Sequence, residues 1–272
     1  MINSWESVVG MPIVRKVNGH WNSPKTLEKN LRVAMGKCGK LCERCNGGKI
    51  FLTLSGGIDS SLSVALIRDE LGRQAKIHTF TIGRRNDHPD VVHARIIAKL
   101  FNTIHHEFIP NPIDVGEAIL EREKNPQLFI GDGGIETSGL GVFLLYQHIA
   151  ELVSSFVVIC HDGIDELLGG YWPHRQTQTR KDRALNFQRF WRDLPNNHLI
   201  PLTRKSGHFG ITPIFPYLQK SVVRYITAIP IEERTSKVES KIPLRRIAEK
   251  YLPPEIIQRK KIGFCDALKK FE

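Results

Sequence analysis

No stretch of this 272-residue chain approaches the ~18 consecutive apolar residues needed to span a bilayer, which predicts no membrane span. The start, Met1-Ile2-Asn3-Ser4-Trp5-Glu6, does not look like a secretory signal. Cysteine is scarce: five residues, an odd number with three of them bunched, argue against a secreted disulfide framework. There is no internal repeat, no low-complexity segment and no recognisable RNA-binding motif. Together these absences predict a soluble, cytoplasmic protein. What is present, 41% hydrophobic and 25% charged residues, suffices for a full core in one large domain or one and a half.

The charge is unevenly spread. Residues 1–172 carry 18 Lys+Arg against 19 Asp+Glu, whereas residues 173–272 carry 21 against 9. The excess can serve a solvated basic face together with lysines that meet phosphates, or a nucleic-acid surface; the first is favoured because the basic residues are dispersed.

Apolar periodicity gives a coarse map. Residues 1–30 read as an irregular extension, and Leu27, Leu31 and Ala34 predict a helix over Thr26 to Met35 that ends near Gly36. Strands are expected at 50–54, Lys76 to Ile82, Ile104 to Ile109 and Phe156 to Cys160. Helices are expected around Leu62 to Leu71, Asp90 to Phe101 and 142–153, with a glycine-rich loop at 131–141. Alternation in the third strand places His105 and Glu107 on one face and His106 on the other. Strands alternating with helices predict a doubly wound parallel sheet of α/β class, with ligands at the carboxyl ends of its strands. From about 173 strand signals fade and the pattern becomes helical. The expected division is an N-terminal extension, 1–48; a nucleotide-binding core, 49–172; and a basic helical part, 173–272.

The most informative stretch is Ile50-Phe-Leu-Thr-Leu-Ser55-Gly56-Gly57-Ile-Asp59-Ser60-Ser61. An apolar strand breaks into a loop and then a helix N-terminus. Gly56 and Gly57 let the backbone approach an anion, the hydroxyls of Ser55, Ser60 and Ser61 can donate to phosphate oxygens, and the helix dipole adds favourable potential. Asp59, a carboxylate that phosphates alone would repel, makes sense with Mg²⁺ between them. A further cluster, Cys160-His161-Asp162-Gly163-Ile164-Asp165-Glu166-Leu-Leu-Gly169-Gly170-Tyr171, closes the fourth strand and offers Asp165 as the facing carboxylate.

The Ser55–Ser61 stretch resembles the pyrophosphate loop, Ser-Gly-Gly-x-Asp-Ser, of the N-type ATP pyrophosphatases. The Cys160–Tyr171 cluster is similar to the Ser-Gly-Glu-Gly-Ser-Asp-Glu-Val-Phe-Gly-Gly-Tyr loop of the asparagine synthetase family. Phe80-Thr81-Ile82-Gly83, Asp90, His105-His106-Glu107, Lys241-x-x-Leu244-Arg245, Tyr251-Leu252-Pro253 and Arg259-x-Lys261-x-x-Phe264 extend the resemblance over about 26–268. It implies a fold of the adenine-nucleotide α-hydrolase type and the synthetase domain shared by asparagine and β-lactam synthetases. There, ATP with Mg²⁺ activates a small carboxylic acid as an acyl-adenylate, and an amine then displaces AMP. On this resemblance Ser55, Gly57, Asp59 and Ser60 cradle pyrophosphate, and Asp59 and Asp165 hold Mg²⁺. Leu54, Ile82, Cys160 and His161 surround the adenosine, with Cys-His replacing a small Ser-Gly pair, and Gly163 joins that set. Tyr171 and Lys261 lie near the reacting centre, with Lys261 the stronger catalytic candidate. Asp162 replaces the family's proton-handling Glu. Residue 2 is Ile, not the glutaminase cysteine, so ammonia, a separate glutaminase subunit or another amine is expected as donor. Assembly into a homo-oligomer is left open.

Cys38-x3-Cys42-x2-Cys45 has spacing that can place three thiolates on one metal, Zn²⁺ or part of an iron–sulfur cluster, with His20 or an external ligand as the fourth. Three unrelated cysteines near a Gly-rich turn are the alternative. A metal there would be structural, since the strand that follows carries Ser55 to the opposite edge of the sheet. The rival function is a sulfur-transferring, tRNA-modifying pyrophosphate-loop enzyme. A non-catalytic nucleotide-binding subunit would require Asp59 and Asp165 to be lost, and both are present.

Overall fold

Five short runs rich in β-branched and aromatic residues pair into one parallel sheet: β1 (Lys49–Thr53), β2 (Lys76–Ile82), β3 (Ile104–Phe108), β4 (Val157–Ile159) and β5 (Thr212–Ile214). The computed structural model describes residues 5–14, 24–131, 136–152, 157–177 and 179–260; the side chains of 136–138 fall outside that description. The helices of the first half are α1 (Glu6–Val9), α2 (Pro24–Cys45), α3 (Ile58–Leu71), α4 (Pro89–Leu100), α5 (Pro112–Lys124) and α6 (Glu136–Leu152). Those of the second are α7 (Ile164–Leu168), α8 (Trp172–Arg175), α9 (Arg180–Leu194), α10 (Ile200–His208), α11 (Lys220–Ala228), α12 (Ile231–Arg234), α13 (Ile242–Ala248) and α14 (Pro254–Ile257). Among the described residues no helix is long and apolar enough to cross a membrane.

The strand order is β3-β2-β1-β4-β5, all neighbours parallel. The chain winds outward from β1 to β3, then returns to place β4 on the other side of β1. That reversal opens a crevice at the carboxyl ends of β1 and β4, the usual ligand position in such sheets. The central strands are buried on both faces, as parallel sheets covered by helices require. The alternation expected in β3 is present: His105 approaches Glu107 at 3.6 Å, while His106 Nε2 lies 3.0 Å from His78 Nδ1.

Two expectations are corrected here. The C-terminal third contributes β5, whose three residues pair with β4 from Val157↔Thr212 to Ile159↔Ile214. The helix expected to end near Gly36 instead runs through to Cys45. Gly36 and Gly39 lie inside it because α2 packs closely on α3; a Cβ at Gly39 would fall 2.7 Å from Leu71.

This continuation removes the expected metal knuckle. Leu27, Leu31, Ala34, Cys38 and Cys42 follow helical spacing and form the buried face of α2, so the cysteine spacing belongs to an amphipathic stripe. The Cys42 sulfur accepts from the Phe51 N–H at 3.2 Å and from Asn46 at 3.0 Å, and lies 3.2 Å from the Val157 carbonyl. It therefore helps seat α2 on β1 and β4. Burial pushes both the Cys38 and Cys42 thiols up to about 12, so in this packing both are protonated. Among the described residues no group of three or more His, Cys, Asp or Glu is placed to hold a metal ion. His20 lies outside the described residues.

Thiol chemistry checks this packing. Cys38 and Cys42 should resist an aromatic disulfide reagent at pH 8 in the native protein, with roughly a thousandfold less thiolate than a free cysteine, and react fully in urea. A chelator should leave the native rate unchanged; a rise on chelation would restore the metal site.

Candidate functional site

The chain leaves β1 at Thr53 and enters α3 at Ile58, so Leu54 to Gly57 form a tight loop over a helix N-terminus. Gly56 has φ +66°, and a Cβ there would lie 2.5 Å from the His93–Ala94 backbone of α4, so only glycine fits. Hydroxyls hold the loop. The Ser55 N–H donates to Ser60 Oγ at 3.2 Å, Ser60 Oγ donates to the Gly57 carbonyl at 3.2 Å, and the Gly57 N–H donates to Ser55 Oγ at 3.3 Å. Asp59 occupies the first turn of α3, where the helix dipole favours a carboxylate. Its main-chain carbonyl accepts from Tyr217 at 2.8 Å and from Ser63 at 3.0 Å.

The facing loop leaves β4 through Cys160, His161, Asp162 and Gly163 into α7. A Cβ on Gly170 would fall 1.6 Å from Asp165 Oδ1; the missing side chain makes the space that Asp165 fills. Between the two loops lies Lys241, the residue before α13, with a left-handed φ of 56°. Its ammonium is 2.5 Å from Asp59 Oδ2 and 2.8 Å from Asp165 Oδ1, and its side chain is only 3% exposed. Burial alone would lower the Lys241 pKa, but Asp165 and Asp59 outweigh it and raise the pKa. Asp59 Oδ1 is buried with no hydrogen-bond partner among the described residues.

One cavity joins these groups. Leu54, Ser55, Gly57, Asp59, Ser60 and Ile82 line it from the β1 and β2 side; His161, Asp162, Gly163, Asp165 and Tyr171 line it from the other. Three expected residues do not reach it. Gly56 turns against α4, Ser61 is buried behind the loop, and Cys160 points into the core, where its sulfur lies 2.9 Å from the Tyr146 hydroxyl. Lys261 and Phe264 lie outside the described residues.

Several cavity residues carry no role that local sequence pattern assigns. Lys241 and Arg245 are visible there only as part of a resemblance. With Arg259 and Lys260 they line the cavity, so part of the C-terminal basic excess shares it with the Ser55–Ser60 loop. Arg259 donates to the Ser55 carbonyl at 2.7 Å and pairs with Asp90 at the start of α4; both side chains are under 9% exposed. Glu166, 1% exposed, accepts from the Tyr171 hydroxyl at 2.8 Å. Burial pushes Glu166 above the ordinary carboxylate range and, with the neighbouring Glu166, pushes Tyr171 well above the usual phenol value. Tyr171 is thereby already engaged as a donor.

Fold and site define a parallel α/β protein with a Ser- and Gly-rich loop at a helix N-terminus and two carboxylates at the switch point of its sheet. The asparagine synthase family model matches residues 48–205 and 194–271. The chain belongs to the asparagine synthase family. It is 29% identical over 227 residues to the glutamine-hydrolysing asparagine synthetase of Gallus gallus, covering 81% of this chain and 40% of that protein. Against the Homo sapiens enzyme it is 27% identical over 251 residues, covering 90% and 44%. The chain thus spans about two fifths of the length of these relatives. The NMN synthetase of Francisella tularensis aligns structurally with 16% identity and a TM-score of 0.37, covering 75% of this chain and 92% of that one.

Replacing the buried Lys241 by methionine leaves two half-buried carboxylates, 18% and 15% exposed, facing each other without their shared cation. Loss of one partner of a buried charge cluster typically costs about 3–5 kcal/mol, so Lys241→Met should lower the urea midpoint by a corresponding amount. An unchanged midpoint would show that the lysine does not hold the loops together.

Proposed function

We propose that the chain carries out ATP-dependent, AMP-forming amide synthesis through an acyl-adenylate. The observation that carries this reading is the pairing of Asp59 and Asp165 on one lysine at the Ser55–Ser60 loop, in a cavity that Arg245, Arg259 and Lys260 also line. Loop N–H groups, hydroxyls and a helix N-terminus suit a departing pyrophosphate. Asp59 and Asp165 are the residues that would hold Mg²⁺; oxygen ligands suit that ion, and the buried, unpartnered Asp59 Oδ1 gives it a ready acceptor. The bound ion would neutralise phosphate charge.

In the first half-reaction a substrate carboxylate oxygen attacks the α-phosphorus, and the bond to the β-phosphate bridging oxygen breaks. Ser55, Gly57 and Ser60 bind the pyrophosphate released, while Lys241, Arg245 and Arg259 offset its charge. Leu54 and Ile82 supply an apolar wall for the base. In the second half an amine nitrogen attacks the acyl carbon, the carbon–oxygen bond to phosphate breaks, and AMP leaves with the electron pair. The nitrogen sheds a proton, for which Asp162 is the assigned acceptor; Tyr171, whose hydroxyl donates to Glu166 and whose pKa is raised, is not available as a base. Lys261 is assigned to the developing oxyanion. Ammonia, or an amine delivered by a separate subunit, serves as donor.

The sulfur-transfer alternative loses its main support. Cys38 and Cys42 are committed to the α2 packing face, where Cys42 is hydrogen-bonded to β1 and Asn46.

A pyrophosphate-exchange screen over small carboxylic acids, with ATP and Mg²⁺, tests the first half alone. At least one acid should support exchange without any amine, and ammonia should convert that acid to its amide. Asp59→Asn and Asp165→Asn should each reduce exchange by about a hundredfold or more, since a metal clamp on transferring phosphates is worth several kcal/mol. Exchange that survives both substitutions would remove the carboxylate pair from the reaction.

A further inference from the structure

His161 differs from its neighbours in the cavity wall because one of its ring nitrogens is already committed and the other is not. Its Nε2 lies 2.7 Å from the main-chain carbonyl of Thr53, the last residue of β1. A carbonyl oxygen only accepts, so Nε2 must carry the hydrogen. Burial holds the ring neutral, with a pKa lowered to about 4. Nδ1 is therefore a bare lone pair. It is shielded from bulk water and has no hydrogen-bond partner among the described residues, although the ring lines the same cavity as Ser55 and Asp59.

An acceptor buried and left unpaired costs about 1–3 kcal/mol, so such an atom in a cavity wall calls for a partner. The nearby phenol does not supply it: Tyr217 meets the His161 ring edge-on with centroids 6.4 Å apart, and its hydroxyl donates to the Asp59 carbonyl. Phosphate and carboxylate oxygens are excluded as well, being acceptors themselves. Besides water, which a bound ligand displaces, what remains is a ligand that brings its own hydrogen.

We propose that His161 Nδ1 is a specificity-determining acceptor for an O–H or N–H hydrogen of the bound nucleoside. This inference rests on the nucleotide reading above. The Thr53 carbonyl fixes the tautomer, so the site cannot reverse its demand from donor to acceptor. A nucleotide carries this donor chemistry on its ribose hydroxyls and on the exocyclic amine of its base. A site built around a hydrogen-bonding group rejects the analogue that lacks it, because the protein atom is then left unpaired.

Calorimetric titration with α,β-methylene-ATP and its 2′-deoxy, 3′-deoxy and 6-deamino counterparts, all resistant to cleavage, separates the sources. Wild type should bind one of the three analogues at least about tenfold more weakly than the parent, a single hydrogen bond's worth. In His161→Phe the parent should weaken to that level and the discrimination should disappear. Equal binding of all four by wild type, or discrimination that persists in His161→Phe, overturns the role and leaves the nucleotide reading standing. Failure of wild type to bind the parent removes both. Nitrogen-15 spectra of wild type give an independent measure that needs no variant. Nδ1 should appear as the unprotonated ring nitrogen and shift when the parent nucleotide binds; a protonated or unmoved Nδ1 also overturns the assignment.

Discussion

One buried ammonium ties together the three parts of the chain on which the site depends. Lys241 reaches from the C-terminal third to Asp59 after β1 and to Asp165 after β4, so two loops separated by about a hundred residues share one counter-charge. Desolvating a lysine and two carboxylates is expensive, and an apolar cluster of similar size would give comparable stability without that cost. What the charges provide is geometry: the loops cannot drift apart without stranding a charge in the interior. The left-handed backbone at Lys241 fits this reading, since a non-glycine residue keeps such a conformation only where its surroundings over-determine it.

The same constraint recurs at neighbouring points. Arg259 clips the Ser55 carbonyl to Asp90, Tyr217 and Ser63 fix the Asp59 carbonyl, and Gly170 yields its side-chain space to Asp165. Each comes from a different element. A cavity assembled from strand ends needs such supports, because a loop positions a charge less firmly than the helices and sheet beneath it.

The β1 loop and the carboxylate after β4 are legible in the sequence because both follow an apolar run and carry glycine where close approach requires it. β2 is readable to its ends for a similar reason: seven residues of β-forming sequence between turn signals. The α2 cysteines mislead because metal spacing and helical spacing coincide at intervals of three and four, and Gly36 resembles a terminator although it sits at a close helix crossing. α5 does carry a signal, Asn111-Pro112-x-Asp114, which forms a capping box with proline at the first position. β5 offers almost none. Three residues with Pro213 at their centre lack the length and the donor that mark a strand, and proline is tolerated because β5 is at the sheet edge. Lys241, Arg259 and Glu166 act through partners brought together only by the fold, which local pattern does not reveal.

The position of β5 sets a schedule for the growing chain. The outer edge of β4 stays uncovered until Thr212–Ile214 have been made, 55 residues after Ile159. At about 5–20 residues per second this interval lasts roughly 3–10 s on the ribosome. Any sheet formed within it would present unpaired main-chain groups along β4, an edge that favours strand addition by another chain. In chain order that edge is closed 27 residues before Lys241, so sheet completion precedes site assembly.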